Sequence, residues 1–266
     1  MKFKKLISSA TIQKEHEKFF DILIEQLNSL PKDWHLEGSV SRKVLEAIVK
    51  HARGNNKPVE NSVETGSGKT TLLFSHLSKN HVVFALENGS KSISAVKKSE
   101  LFNVKNVKYI EGPTQKTLPR YVFNQKLDLA LIDGPHGYPF PDLEYYYFYP
   151  NLIEGGLLLL DDIQIPSIQR MFEIIKADDM FELLKVVDNM AFFRRTESPL
   201  IDPYSDSWWL QGYNRLHFET IHGIALRKNV VYKTLNRVTP EIIKKYIPKS
   251  LNYWIRKIMT NLIKLF

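Results

Sequence analysis

Apolar and polar positions follow two different periods along the chain. Residues 11–30, "TIQKEHEKFFDILIEQLNSL", place apolar side chains at helical spacing and stop before Pro31. A second helical pattern, "SRKVLEAIVKHA", begins at Ser41, a suitable N-cap, and ends near Gly54. From Val59 onward short apolar runs alternate with helical stretches. The runs are "VENSVE" (59–64), "HVVFALE" (81–87), "VKYIE" (107–111), "LDLALID" (127–133) and "GLLLLDD" (156–162). Between them lie "KTTLLFSHLSK", "SISAVKKSELF", a stretch at 114–123 and "PDLEYYYFYPNLI". Strand and helix alternating at this spacing predict an α/β fold with a mostly parallel sheet. A further helix near 167–177 precedes "FELLKVV" and "MAFFRRT", which Asp188-Asn189 joins into an antiparallel hairpin closing the sheet edge. Residues 198–220 are aromatic and irregular. The pattern divides the chain into N-terminal helices (1–57), a Rossmann-like domain (58–197) and a C-terminal extension (198–266).

Composition narrows the function classes. With 266 residues there is room for one large domain with attachments, and with no cysteine there is no disulfide, thiolate metal site or thiol nucleophile. No apolar run approaches the roughly 20 residues of a membrane-spanning helix, and the apolar stretch after the basic start is too short to read as a signal peptide. A cytoplasmic location is the expectation. The formal charge of +8 is uneven: Arg227 to Phe266 holds ten basic residues against Glu241, so that tail is +9 and the preceding 226 residues are −1. From Ser250, "SLNYWIRKIMTNLIKLF" stripes Leu251, Trp254, Ile255, Ile258, Leu262 and Phe266 along one helical face. Such a helix suits peripheral contact with an anionic membrane, or docking on protein, including a second copy of the chain. A near-neutral body without a nucleic-acid-reading motif argues against nucleic acid.

The candidate chemistry begins at "SVETGSGKTTLLF" (62–74). Gly68-Lys69-Thr70 has the ending of a phosphate-binding loop, and "LLLLDD" could serve as the acidic strand of an ATPase. The first glycine of that loop, however, would fall at Val63, and Glu64 would face the phosphates. The same residues also read as acid-x-Gly-x-Gly, with Glu64, Gly66, Ser67 and Gly68 following a strand and opening a helix. About 20 residues on, Glu87 closes the next strand, where an acid can accept from both ribose hydroxyls. Glu64, Glu87, Glu111, Asp133, Asp161 and Asp162 all fall at predicted strand ends, where open α/β sheets bind ligands.

This constellation resembles the class I S-adenosylmethionine-dependent methyltransferases. "LDLALIDGPHGYPFPDLEYYYFYPNLIEGGLLLLDDI" is similar to the IDG-x-H, GG and DD pattern of their small-molecule O-methyltransferase branch. The resemblance covers roughly residues 40–197 and implies S-adenosylmethionine bound by Glu64, Gly66, Ser67, Gly68, Glu87, Gly112 and Asp133. It implies a metal set of Asp133, Asp161 and Asp162, hard oxygen ligands suited to Mg²⁺ or another divalent cation. Thr70 stands where the loop's third glycine is usual, and Pro135 where some metal-dependent relatives place a carboxylate. His136, three residues past Asp133, is a candidate general base with Asp133 beside it. Trp208, Trp209 and Tyr213 are candidates for a lid over a small-molecule acceptor. The expected reaction is metal-assisted O-methylation of a small molecule. The alternatives are an ATP-binding P-loop protein and a non-catalytic module that keeps the fold for binding.

Overall fold

The computed structural model describes residues 9–31, 34, 40–52, 58–87, 89 and 91–222, with backbone alone for 9–16 and 219–222. The chain divides into two compact units, Met1–Asn214 and Arg215–Phe266. The basic tail from Arg227 and the amphipathic stretch at 251–266 lie outside the described residues.

In the first unit, helices α1 (Ser9–Asn28) and α2 (Arg42–Ala52) precede β1 (Val59–Thr65), α3 (Lys69–Leu77), β2 (Ser78–Ala85), α4 (Ser92–Lys98) and β3 (Val107–Glu111). There follow α5 (Thr114–Thr117), β4 (Leu127–Ile132), α6 (Phe140–Phe148), β5 (Leu152–Leu160) and α7 (Pro166–Ala177). The hairpin of β6 (Phe181–Val187) and β7 (Met190–Arg195) completes the sheet, and α8 (Gly212–His222) begins at the end of this unit. Seven strands lie in the order β3-β2-β1-β4-β5-β7-β6. The first five are parallel; β7 inserts antiparallel between β5 and β6. The fold is α/β and Rossmann-like, with the antiparallel hairpin closing one edge.

Two apolar layers account for the continuous hydrophobic runs of the central strands. Leu129, Leu131, Leu157, Leu159 and Phe192 face a layer built with α1, α2 and α3. Their alternate neighbours Ala130, Ile132, Leu158, Leu160 and Phe193 face α6 and α7. The runs at 129–132 and 157–160 are therefore apolar at consecutive positions because both faces of the sheet are covered there.

Two boundaries differ from the sequence expectation. The strand read as 81–87 runs from Ser78 to Ala85, so Glu87 lies beyond it. The segment read as irregular contains α8, whose first residue is tethered by the Gly212 N–H donating to Asp178 Oδ1 at 2.6 Å. That anchor comes from 34 residues away in the chain, so no local pattern announces it. Among the described residues, no helix is long and apolar enough to cross a membrane.

Candidate active site

A cleft of about 620 Å³ opens beyond the carboxyl ends of the central strands. Its floor at one end is the turn from β1 into α3, where Gly66, Ser67, Gly68, Lys69 and Thr70 line it. Gly112 and Gln115 form the β3 side, and Asp133, Gly134, His136, Asp161 and Asp162 form the other end. Val40, Ser41 and Val44 from the start of α2, with Asp188 and Asn189 from the hairpin turn, complete the wall.

The turn is fixed by its own amides. Gly66 N–H donates to the Phe84 carbonyl at 3.0 Å, and Gly68 N–H donates to Thr71 Oγ1 at 3.0 Å. A phosphate cradle needs such amides free and pointing at the ligand. Val63, where the first glycine of a P-loop would stand, is a fully buried strand residue. Lys69 lines the cleft, and partial burial lowers its pKa.

Of the six strand-end acids, only Asp133, Asp161 and Asp162 line the cleft. Glu64 turns inward: it is wholly buried, accepts from the Thr71 hydroxyl, and lies 3.2 Å from His81 Nε2. The Glu87 carboxylate accepts from the Ile93 and Ser94 amides, at 2.9 and 3.3 Å, at the start of α4. Glu111 is exposed and pairs with Lys97 at 2.5 Å. Trp208 and Trp209, half exposed, and Tyr213 are not among the residues lining the cleft.

His136 brings the acids into a cluster. Its Nε2 lies 3.1 Å from Asp162 Oδ2 and 3.9 Å from Asp133 Oδ1. One donor atom from each of Asp133, His136 and Asp162 falls within 4.8 Å of the others, the spacing of a metal-binding group. Asp161 stands beside this group: its Oδ1 accepts the Asp162 amide at 2.9 Å. The set the structure gathers is therefore two carboxylates and an imidazole, where the sequence suggested three carboxylates. Asp162 adopts the left-handed region (φ 56°), and Gln164 donates to its Oδ1 at 2.7 Å, which leaves Oδ2 toward His136. The Asp133 carboxylate raises the pKa of His136 above the ordinary imidazole value. Burial, reinforced by neighbouring carboxylates, raises those of Asp133 and Asp161.

Sequence reasoning missed Glu144 on α6. It is wholly buried and its Oε2 accepts from Thr65 Oγ1 at 2.7 Å; Thr65 Oγ1 in turn accepts the Asp133 amide at 2.9 Å. A Cβ on Gly134 would come within 2.2 Å of Glu144 Oε1, so any side chain there would displace the Glu144 carboxylate. The signal was its phase: Pro141, Glu144 and Phe148 share the buried face of α6. Burial pushes the Glu144 carboxyl up to about 8 against the hydrogen bond from Thr65. Between an unfolded value of 4.5 and about 8, the folded state keeps a proton that the unfolded chain has lost. Stability should fall as pH rises through that window, by up to about 1.4 kcal/mol per pH unit from this group. Denaturant titrations from pH 5 to 9 should show Glu144→Gln losing that component of the slope; an unchanged slope would mean that Glu144 is ionised in the folded protein at neutral pH.

Residues 63–163 match the family model of a methyltransferase domain. No curated protein sequence matches the chain. Among solved structures, the O-methyltransferase TomG from Streptomyces achromogenes, involved in tomaymycin synthesis and solved with S-adenosylmethionine, superimposes with a TM-score of 0.51 at 13% identity. That match covers 71% of this chain and 100% of TomG. Two proteins provisionally classed as O-methyltransferases are also similar. One, of the caffeoyl-CoA type from Staphylococcus aureus, gives a TM-score of 0.50 at 19% identity over 69% of this chain and 97% of its own. The other, from Klebsiella pneumoniae, gives 0.52 at 14% identity over 70% and 99%. At these identities the likeness establishes a shared fold. The methyltransferase domain match spans the turn from β1, the acid-histidine cluster and Glu144.

Proposed function

We propose that this protein is an S-adenosylmethionine-dependent methyltransferase that methylates an oxygen of a small molecule, assisted by a divalent cation. The observation that carries this reading is that one continuous cleft holds both the glycine turn and the Asp133–His136–Asp162 cluster. Donor and acceptor can then lie end to end, as in-line displacement requires. The domain match and the shared O-methyltransferase fold support it.

The cleft's residues suit the donor. Gln115 Oε1 is buried in the cleft wall without a hydrogen-bond partner, an acceptor suited to an adenine amino group. Glu87 does not itself line the cleft, but it follows the cleft-lining Leu86 and its carboxylate keeps accepting capacity beyond its two amides, so it is the acid assigned to a ribose hydroxyl. S-adenosylmethionine supplies an electrophilic methyl group on a sulfonium. Two carboxylates and an imidazole fit a divalent cation, which supplies Lewis acidity that lowers the pKa of an acceptor hydroxyl. Asp133, His136 and Asp162 would hold it, and the raised pKa of His136 reflects how strongly these acids favour positive charge. Asp161 orients Asp162 through its amide. Where no cation is bound, Nε2 of His136 faces the Asp162 and Asp133 carboxylates, and Nδ1 is the ring nitrogen left to accept the hydroxyl proton.

The acceptor would lie at the wall formed by α2 and the hairpin turn. There Ser41 Oγ donates to Asp188 Oδ2 at 2.5 Å, joining elements 147 residues apart. Val40 and Val44 give this wall an apolar surface, suited to the carbon skeleton of a small molecule.

Parallel calorimetric titrations with S-adenosylmethionine, S-adenosylhomocysteine and ATP-Mg²⁺ test the reading. Binding of the first two at micromolar concentrations with no heat from ATP is expected. ATP binding with silence from the other two would return the glycine turn to a phosphate site, despite its committed amides.

A further inference from the structure

Beneath the glycine turn runs a chain of buried polar groups that does not line the cleft. His81, at the middle of β2, is 1% exposed. Its Nδ1 lies 2.7 Å from Ser62 Oγ, which donates to Ser78 Oγ at 2.6 Å. Its Nε2 lies 3.2 Å from Glu64 Oε1. Ser62, Ser78, Glu64 and Thr71 are all 2% exposed or less. Serine, histidine and carboxylate in sequence suggest a nucleophile relay, but a hydroxyl sealed in the core can meet no substrate. Its use must be internal.

The chain leads to the turn. Thr71 has one hydroxyl proton, and it donates that proton to Glu64 Oε1. The lone pairs then face outward to accept the Gly68 amide at 3.0 Å. Gly68 lies between Ser67 and Lys69 on the cleft floor. Glu64 thus sets the rotamer of a hydroxyl that holds the turn, and the imidazole edge lies against the same Glu64 oxygen at ion-pair distance, without hydrogen-bond geometry. Glu64 Oε2 has no hydrogen-bond partner, so nothing on that side compensates for loss of the ring.

We propose that His81 is a positioning residue for the cofactor turn, acting through Glu64 and Thr71 on the amide of Gly68. Its effect on ligand affinity rests on the methyl-donor reading above; its effect on the turn does not.

Three variants separate the ring's two contacts. Glutamine can place its amide nitrogen where Nε2 meets Glu64. Asparagine reaches only the Ser62 side, and leucine reaches neither. Hydrogen exchange of the ligand-free protein reads the amides of Gly66–Thr70, calorimetry reads S-adenosylhomocysteine affinity, and thermal melting checks the fold. His81→Asn and His81→Leu should speed exchange in the turn and weaken affinity, each by about tenfold, the effect expected of a supporting residue. His81→Gln should stay within about threefold of wild type in both. Equal effects from the asparagine and glutamine variants would reduce His81 to packing and overturn the proposal. So would unchanged exchange in a folded His81→Asn protein. If wild type itself ignores S-adenosylhomocysteine, the cofactor reading fails alone, and the exchange data still decide the role of His81. Should the leucine variant not fold, the difference between the asparagine and glutamine variants decides the role by itself.

Discussion

Replacing Gly66 with alanine is expected to weaken S-adenosylhomocysteine binding by about a hundredfold while the protein stays folded. A Cβ at this position would meet the Asp133 carbonyl oxygen at 2.3 Å and Asp133 Oδ2 at 3.7 Å. The carbonyl cannot retreat, because β4 is paired on both sides and the Asp133 amide is held by Thr65. The backbone also sits at φ +86°, where a side chain costs about 1–2 kcal/mol before any clash. Strain and displacement together come to about 3 kcal/mol, and the turn is the part free to move. Gly89 provides the control: a Cβ there meets nothing within 4 Å, and alanine should leave affinity within about a factor of two. Calorimetry and thermal melting of both variants make the comparison. Wild-type affinity in Gly66→Ala would mean that the ligand does not lie against this turn.

The same residue shows what the sequence could and could not reveal. A glycine two places after a strand-end acid announced a tight turn, and periodicity announced the alternation of strands and helices that places it. The antiparallel hairpin closing the edge was also readable, because Asp188-Asn189 allows one tight connection; that β7 and not β6 lies beside β5 was not. Side-chain direction was not readable. Glu64, Glu87 and Glu111 end or follow parallel strands as Asp133 does, yet only Asp133 among these four lines the cleft. The difference lies in partners distant along the chain: Thr71 and His81 for Glu64, the first amides of α4 for Glu87, and Lys97 for Glu111. Glu144 escaped notice because a carboxylate in an aromatic helix reads as its polar face, until Phe148 and Pro141 show it on the buried one. Ser41 meets Asp188 only through the tertiary fold. Local pattern thus sets the elements and the turn, whereas the site's final membership is decided by contacts between them.

That membership can be tested at Asp161 and Asp162, adjacent residues with different geometry. Asp162→Asn is expected to lower affinity for Mn²⁺, used as a probe cation, by about a hundredfold, and turnover with it. Asparagine tolerates the left-handed backbone at this position and can still accept from Gln164, so the change removes charge and leaves shape. Asp161→Asn should cost less than about tenfold. Its Oδ1 serves the Asp162 amide, and an amide oxygen can accept that bond as well. Calorimetric or paramagnetic titration of Mn²⁺ into both variants and wild type decides between the two metal sets. A larger loss at Asp161 would restore the three-carboxylate set suggested by the sequence, with His136 released to act as the base. Failure of wild type to bind Mn²⁺ at millimolar concentration would remove the cation from the reaction. Proton transfer would then fall to His136, whose Nε2 lies between Asp133 and Asp162 and leaves Nδ1 as the accepting nitrogen, and His136→Asn would have to abolish turnover without altering S-adenosylhomocysteine affinity.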